Sequence, residues 1–267
     1  MNLSDCRKAG SFQLVAIAAV ALIPFGFLTT LRAQTNAPQR PPTEVVRDFY
    51  KAMREKRFKD AWAMTIYKPA VEDLTAEEME DLRGIFESRA AQIPQEVEIM
   101  GEQITNNTAT VFVKVPSAEA TPQVTSQPVT LILSNGAWII GTDTDAATVK
   151  RAGRRYFLDA LITENEGSIE DFLKGLIGVE AIYAAQHNGM FGDFAALIKS
   201  GLLSEDAVDP KITGYNLRLV LNPDGKAFVT AGEPTRYGHT GRLSYWMDQS
   251  GNLKNLDNKG KPLSPGK

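Results

Sequence analysis

Hydrophobic residues in this chain repeat first with a helical period and then in alternation, and this change of period occurs twice along the 267 residues. Apolar residues three or four apart indicate an amphipathic helix, whereas alternation of apolar and polar residues indicates a strand with one buried face. The helical period covers residues 43–90 and returns in residues 169–183. Alternation covers residues 97–140 and returns in residues 215–256. Helices followed by antiparallel strands, present twice, predict an α+β fold with two domains.

Residues 43–142 are predicted to form the first domain, in which helices precede a curved antiparallel sheet. Thr43 is a candidate N-cap of the first helix, and Thr75 with Glu78 three residues later matches the capping-box pattern. The dipeptide Asn135-Gly136 lies between two apolar segments, which is a strong signal for a hairpin turn. This order of elements is typical of α+β domains.

The second half of the chain is predicted to contain a connector, a domain and a tail. Residues 143–168 are expected to be a helical connector, and residues 169–258 a globular domain. In that domain a helix packs on an antiparallel meander over residues 215–256, which buries one face of the sheet and leaves the other wet. Residues 259–267 are polar and are predicted to be a flexible tail.

The N-terminus has the three-part pattern of a secretion signal. Arg7 and Lys8 precede an almost unbroken apolar run over residues 14–28. This run is shorter than the roughly 20 apolar residues that cross a membrane, which favours cleavage over retention. We therefore predict a signal peptide in residues 1–33, a linker in residues 34–42, and export to the periplasm or cell envelope. If the run is retained, it anchors the protein to the inner membrane.

Charge, cysteine and histidine content narrow the possible functions. The chain has 29 Lys and Arg against 32 Asp and Glu and no long basic run, which argues against a nucleic-acid partner. The single cysteine, Cys6, lies before the apolar run, so neither an intramolecular disulfide nor a thiolate metal cluster is expected. His187 and His239 are the only histidines, fewer than zinc sites usually use. We therefore predict no metal and no cofactor, and interpret both histidines as polar loop residues.

Two segments near the start of the first predicted domain carry a family resemblance. They are Pro42-Thr-Glu-Val-Val-Arg-Asp-Phe-Tyr-Lys-Ala-Met and Phe58-Lys-Asp-Ala-Trp-Ala-Met. They resemble the opening helices of the cone-shaped α+β superfamily that includes nuclear transport factor and ketosteroid isomerase, and look closest to its small exported bacterial domains. The resemblance covers roughly residues 42–142 and implies a strongly bent sheet around a helix, with a cavity at its open end. Trp62, Tyr67 and Trp138 are our candidates to line a pocket for an apolar ligand.

The same superfamily includes isomerases whose buried aspartate abstracts a proton, so an acid on the apolar face of the sheet would indicate catalysis. Glu96 and Glu98 alternate with apolar residues and are expected on the wet face. Glu102 is the remaining carboxylate in this strand region. We expect no acid on the apolar face, and the chain is predicted not to be an enzyme.

A longer segment in the second half carries another resemblance. It is Glu180-Ala-Ile-Tyr-Ala-Ala-Gln-His-Asn-Gly-Met-Phe-Gly-Asp-Phe-Ala-Ala-Leu-Ile-Lys-Ser-Gly-Leu-Leu. It resembles the globular head of type IV pilins and type II secretion pseudopilins over about residues 169–257. In that family the apolar N-terminal helix continues directly into the head, whereas here a predicted domain separates the two. The head is therefore predicted to be reused as a soluble module.

Four cations lie close together in the predicted connector: Lys150, Arg151, Arg154 and Arg155. Such a cluster is typical of a solvated helix face. It is also the best candidate in this sequence for electrostatic docking of a partner.

Taken as a sequence, the chain is predicted to be a non-enzymatic exported envelope protein that acts by binding another envelope protein or a small apolar ligand. An association with a pilus or secretion system is one form of this function. Two alternatives stay open. One is a cavity enzyme, isomerase- or dehydratase-like, in the first domain. The other is a minor pseudopilin-like structural component anchored by residues 12–31, which a mature start near Gln34 would exclude.

Overall fold

The computed structural model describes residues 40–93, 97–116 and 124–264. The first part contains helices and then one sheet: α1 (Pro42–Arg54), α2 (Phe58–Ala63), α3 (Lys68–Val71), α4 (Ala76–Asp81), α5 (Arg83–Ala91), β1 (Glu98–Thr105), β2 (Thr108–Pro116), β3 (Val124–Ser134) and β4 (Ala137–Ile140). The second part repeats this order: α6 (Asp143–Ala152), α7 (Arg155–Gln186), α8 (Phe194–Lys199), α9 (Pro210–Thr213), β5 (Tyr215–Leu221), β6 (Phe228–Pro234), β7 (Ser244–Asp248) and β8 (Leu253–Leu256). The predicted α+β class is confirmed.

Both sheets are antiparallel meanders of four described strands. The first has the order β1-β2-β3-β4 and the second β5-β6-β7-β8. Along β1 and β2 the pairing of Ile99 with Val113 is followed by that of Gly101 with Phe112, so Met100 is an extra residue in a β-bulge. The predicted turn at Asn135-Gly136 joins β3 to β4, and both residues have positive φ, as the turns of two-residue hairpins require.

The first turn of α1 differs from the prediction. The helix begins at Pro42 with Pro41 as N-cap, so Thr43 lies inside the first turn and does not cap it. A proline suits this position because the first N–H groups of a helix have no partner within the helix. Instead, the N–H of Thr43 donates to Glu102 Oε2 at 3.0 Å. A side chain from β1 therefore accepts a hydrogen bond from one of the free N–H groups in the first turn of α1.

The position of Glu102 also corrects the expectation that no strand acid lies on the apolar face. The bulge at Met100 changes which residues of β1 face which side, because alternation has a period of two. After the bulge Glu102 pairs with Val111, which is fully buried against α1 residues such as Val46. Glu102 is itself exposed at the rim, where it meets α1.

The main core of the first part is built around aromatic rings. Trp62 of α2, Phe86 of α5 and Phe157 of α7 contact one another with ring centroids 5.2 to 5.4 Å apart. Aromatic pairs at this separation add about 0.5–1.5 kcal/mol beyond the burial of their area. Phe157 follows the first sheet in sequence, yet its ring completes the core of the first helices.

Helix α7 is a single helix of 32 residues that runs through the predicted boundary between the connector and the second domain. At about 1.5 Å per residue it is about 48 Å long. Its start carries Phe157 into the first core, and its middle carries Ile169 and Leu173 into the core of the second sheet. Gly167 and Ser168, near the predicted boundary, lower helix propensity by only about 1 kcal/mol or less each and do not end the helix.

The described residues belong to one compact unit. Within it, the boundaries proposed at residues 43–142, 143–168 and 169–258 stay predictions. The predictions for the signal peptide 1–33 and for Cys6 lie outside the described residues. Across the described ranges, no helix is both long and apolar enough to cross a membrane.

The second sheet packs one face on α7. Tyr215 of β5, Phe228 of β6 and Tyr245 of β7 form this core with Ile169 and Leu173.

The segment after β8 forms specific contacts, although residues 259–267 were predicted to be flexible. Asn258 Nδ2 donates to the carbonyls of Lys261 and Pro262, at 3.0 and 2.9 Å. Lys259 Nζ donates to Tyr237 Oη at 2.9 Å, and Leu263 is buried. The chain is therefore held in place as far as residue 263.

Candidate functional site

The three aromatic residues predicted to line a pocket lie in two different clusters. Trp62 and Tyr67 contact each other with ring centroids 5.5 Å apart, and the ring of Phe157 contacts both at 5.4 Å. Trp138 packs with Val111 between α1 and the first sheet. The structure therefore brings Trp62 and Tyr67 together but not Trp138. The ring of Phe157 occupies the space beside Trp62 and Tyr67.

The predicted basic patch is divided between two environments. Lys150 and Arg151 are exposed on α6 and form no ion pair with any described residue. Arg154 pairs with Glu78. Arg155 donates to the carbonyl of Gly238 at 2.9 Å and pairs with an acid of its own helix, Asp159, at 2.5 Å. Two of the four cations are thus engaged in contacts with other parts of the chain.

A shallow groove of about 270 Å³ lies where the turn between α1 and α2 approaches α4 and α5. Four of its lining residues are cations: Lys56, Arg57, Lys59 and Arg83. Two apolar side chains, Phe58 and Met79, also line it. We call this feature the basic groove. Three cations within four residues around Phe58 are a signal for this groove that is visible in the sequence.

The cations of the basic groove have different partners. Arg57 pairs with Glu55 at 2.8 Å and with Asp60 at 2.7 Å. Arg83 pairs with Glu80 at 2.7 Å, and Lys56 pairs with Glu87 at 2.9 Å. All these pairs lie at the surface. Lys59 forms no ion pair within the described ranges. Exposed pairs of this kind contribute only about 0–1 kcal/mol each.

A second group of charged side chains joins α4 to the loop between β6 and β7. It consists of Glu77, Glu78, Asp81, Arg154, Arg236 and His239, and we call it the junction cluster. Arg236 Nη1 donates to both carboxylate oxygens of Asp81, at 2.8 and 2.7 Å, across 155 residues of sequence. Its Nε lies 3.2 Å from Glu77 Oε1. These contacts fasten the second sheet's loop to a helix of the first part.

The two buried acids of the junction cluster are held differently. Burial acts to raise the pKa of Glu78, but hydrogen bonds from the Thr75 backbone and from Arg154 outweigh it, and the pKa is lowered. These bonds include the capping box that the sequence predicted, with Thr75 N donating to Glu78 Oε2 at 2.9 Å. For Asp81 burial is the larger effect, and its pKa is raised although Arg236 and His239 act to lower it.

His239 faces both of these carboxylates. Its Nδ1 lies 3.8 Å from Glu78 Oε1 and 4.0 Å from Asp81 Oδ2. This nitrogen is buried and has no hydrogen-bond partner among the described residues. The interpretation of His239 as a polar loop residue missed this position, because the acids belong to a segment far away in sequence and only the fold brings them together.

Glu180 of α7 is the most deeply buried acid in the described part of the chain, with no exposed surface. Its Oε2 accepts a hydrogen bond from the N–H of Gly192 at 3.0 Å, whereas Oε1 has no partner there. Burial raises the pKa of Glu180 above its ordinary value, and the bond from Gly192 opposes this only in part. The contact ties α7 to the loop that precedes α8.

We expect the replacement Glu180→Gln to become more favourable as the pH rises. Because the folded-state pKa is raised, the stability that this group contributes is complete below the unfolded value of about 4.3 and is lost as the pH rises through the folded value. Glutamine keeps an acceptor for Gly192 and has no charge to bury. Urea unfolding of both proteins at several pH values from 4.5 to 8 measures the difference between their free energies of unfolding.

The matched variant for this experiment is Glu180→Ala, which removes the charge and the acceptor together. It leaves the N–H of Gly192 without a partner, so it should be less stable than Glu180→Gln at every pH. A difference between glutamine and glutamate that does not change with pH would contradict the assignment.

No group of three or more His, Cys, Asp or Glu side chains in the described ranges is arranged to hold a metal ion.

Comparison with protein-family models, with curated proteins and with solved structures gives no significant match. The resemblances to the cone-shaped superfamily and to pilin heads therefore stay predictions.

Proposed function

We propose that this chain is a non-enzymatic protein of the cell envelope that binds an acidic, partly apolar segment of a partner protein in the basic groove. The observation that carries this proposal is the placement of four cations, Lys56, Arg57, Lys59 and Arg83, around the partly exposed Met79 and the small exposed edge of the otherwise buried Phe58. Cations around an apolar surface suit a ligand that has carboxylates beside a hydrophobic side chain.

Two features let the groove accept an acidic ligand: Lys59 has no ion pair in the described ranges, and the ion pairs of the other three cations are exposed and weak. Counting Asp60 and the paired acids outside the groove, four acids balance the four cations. Those pairs are exposed, so an incoming carboxylate can replace one of them at little cost in free energy. Lys59 offers a charge without such competition.

The size of the groove favours a peptide over an enclosed small ligand. Its volume of about 270 Å³ is below the range of roughly 300–1,000 Å³ that is usual for small-molecule pockets. A shallow site of this size accommodates one or two side chains of an extended segment.

The non-enzymatic part of the proposal draws support from the way the junction cluster is paired. A cavity enzyme in the first domain would need an acid of that domain to be held in an apolar cavity and free to transfer a proton. Here Arg154 binds Glu78, and Arg236 binds Asp81. Each of these two carboxylates is therefore held in an ion pair with an arginine.

Export is a further part of the proposal and rests on the signal pattern of residues 1–33. The alternative of a membrane-anchored pseudopilin-like component depends on residues 12–31, which lie outside the described residues. The two resemblances agree with an envelope protein that works through binding.

The proposal predicts that charge reversal in the groove weakens binding of an acidic peptide. The probe is a fluorescein-labelled ten-residue peptide of alternating glutamate and leucine, titrated with the protein and followed by fluorescence anisotropy. The double variant Lys59→Glu and Arg83→Glu should raise the Kd roughly tenfold in low salt, as two exposed charge pairs of about 0.7 kcal/mol each would do. The difference should shrink at high salt.

The matched control reverses the two exposed cations of α6, with Lys150→Glu and Arg151→Glu. This variant makes the same change in net charge and should bind like the unmodified chain. If it loses the peptide while the groove variant retains it, the predicted basic patch is the binding surface and the proposal is overturned. A lysine–leucine peptide that binds equally well would also contradict it.

A further inference from the structure

We propose that His239 makes the attachment between α4 and the loop joining β6 to β7 dependent on protonation. Histidine is the side chain whose charge changes between about pH 5 and 8. The geometry that carries this inference is the position of Nδ1, 3.8 Å from Glu78 and 4.0 Å from Asp81 and without a hydrogen-bond partner among the described residues.

The charges around His239 are unbalanced while its ring is neutral. Helix α4 contributes the carboxylates Glu77, Glu78 and Asp81, and the facing cations are Arg154 and Arg236. Three acids against two arginines leave a charge of −1. Protonation of His239 brings the group to zero, which strengthens the attraction between the loop and α4.

The charged groups next to the cluster have partners other than the α4 carboxylates. Arg155, at the start of α7, donates to the carbonyl of Gly238 and pairs with Asp159. Arg242, beyond the loop, pairs with the same acid at 2.7 Å. Asp159, the acid that both arginines share, lies on α7. Neither arginine forms an ion pair with an α4 carboxylate in the described ranges.

The rest of the loop is held by bonds that do not depend on His239. Thr235 N donates to the carbonyl of Gly214 at 2.9 Å, and Asn165 Nδ2 of α7 donates to the carbonyl of Thr240 at 2.9 Å. Deprotonation therefore leaves the loop fixed to β5 and α7 and weakens its contact with α4 alone. Met79 of α4 lines the basic groove. Protonation of His239 therefore stabilises the position of one helix that forms this groove.

A double-mutant cycle on the full chain tests this inference. The variants are His239→Gln, Asp81→Asn and the two combined, each unfolded in urea at pH 5.5 and at pH 8.0. The coupling between the two positions isolates their interaction from the separate effect of losing the Arg236 contact. We expect a coupling of roughly two- to fivefold in the folding equilibrium constant at pH 5.5, the size of a partly exposed ion pair, and none at pH 8.0.

His187 provides the matched control because it is the only other histidine. Its ring stacks on Tyr183, and Nδ1 lies 2.8 Å from the carbonyl of that residue. The cycle of His187→Gln with Asp81→Asn should show no coupling at either pH. A second test uses His239→Lys, whose fixed charge should keep the coupling to Asp81 at both pH values.

The double-mutant cycle can either support or overturn the inference. Coupling for His239 at pH 5.5 that is lost at pH 8.0 supports the inference. Equal coupling at both pH values, or none at either, overturns it. Because peptide binding is not measured, the result is independent of the proposed function.

Discussion

Replacing Phe157 by alanine is expected to lower the free energy of unfolding by about 3–5 kcal/mol, the range observed when a large buried aromatic side chain is removed. Its ring is 3% exposed and contacts the rings of Trp62, Tyr67, Phe86 and Tyr156 with centroids 5.2 to 5.4 Å away. These neighbours come from α2, α5 and the segments around α3 and α7. Since several elements meet at this one ring, they cannot all collapse into the space it leaves.

The measurement for Phe157→Ala is equilibrium unfolding in urea, followed by tryptophan fluorescence because Trp62 contacts the missing ring. Phe112→Ala is the matched control. Phe112 is half-buried on the face of β2 opposite Val111, outside the aromatic core, and its loss should have a clearly smaller effect. If both variants lose the same stability, the core around Phe157 does not have the importance assigned to it.

Gly241→Ala is the second substitution for which we expect a large loss, of about 1–3 kcal/mol or more, because it overpacks a closed core. A Cβ at Gly241 would lie 2.2 Å from Tyr215 Oη and 2.6 Å from Cζ. The Tyr215 ring cannot move aside easily. It is fully buried, and its hydroxyl donates to the carbonyl of Leu243 at 3.0 Å.

Gly175→Ala is the matched glycine control. Gly175 lies on the exposed side of α7, and nothing comes within 4 Å of an added Cβ. Alanine there should stabilise the helix by up to about 1 kcal/mol. Thermal or urea unfolding of the two variants should therefore shift in opposite directions. A neutral Gly241→Ala would show that the loop before β7 can withdraw from Tyr215.

Local sequence patterns predicted those features that depend on neighbouring residues. The capping box of Thr75 and Glu78 is confirmed, as is the turn at Asn135-Gly136. In each case the groups that interact lie within a few residues of one another, so the pattern contains the whole interaction.

Features that depend on distant residues were beyond those patterns. The bulge at Met100 interrupts the alternation of buried and exposed residues along β1. No residue type in that segment marks the position of the bulge. Arg236 and Asp81 are 155 residues apart, so their contact depends on how the second sheet packs near α4. The aromatic candidates were chosen for their residue type, which is the same in a pocket and in a core. Trp62 and Tyr67 lie in a core and not in a pocket because the ring of Phe157 packs against both. Phe157 belongs to the segment that the sequence predicts only as a connector.

The length of α7 has a consequence for dissecting this protein. This single helix contributes side chains to both hydrophobic cores, with Phe157 near its start and Leu173 sixteen residues later. A protease cut or an engineered break between Leu161 and Ile169 would separate the α7 residues of the first core from those of the second. Fragments made at the domain boundaries that the sequence suggests would each lack part of this shared support, so the functions of the two sheets are best studied in the intact chain.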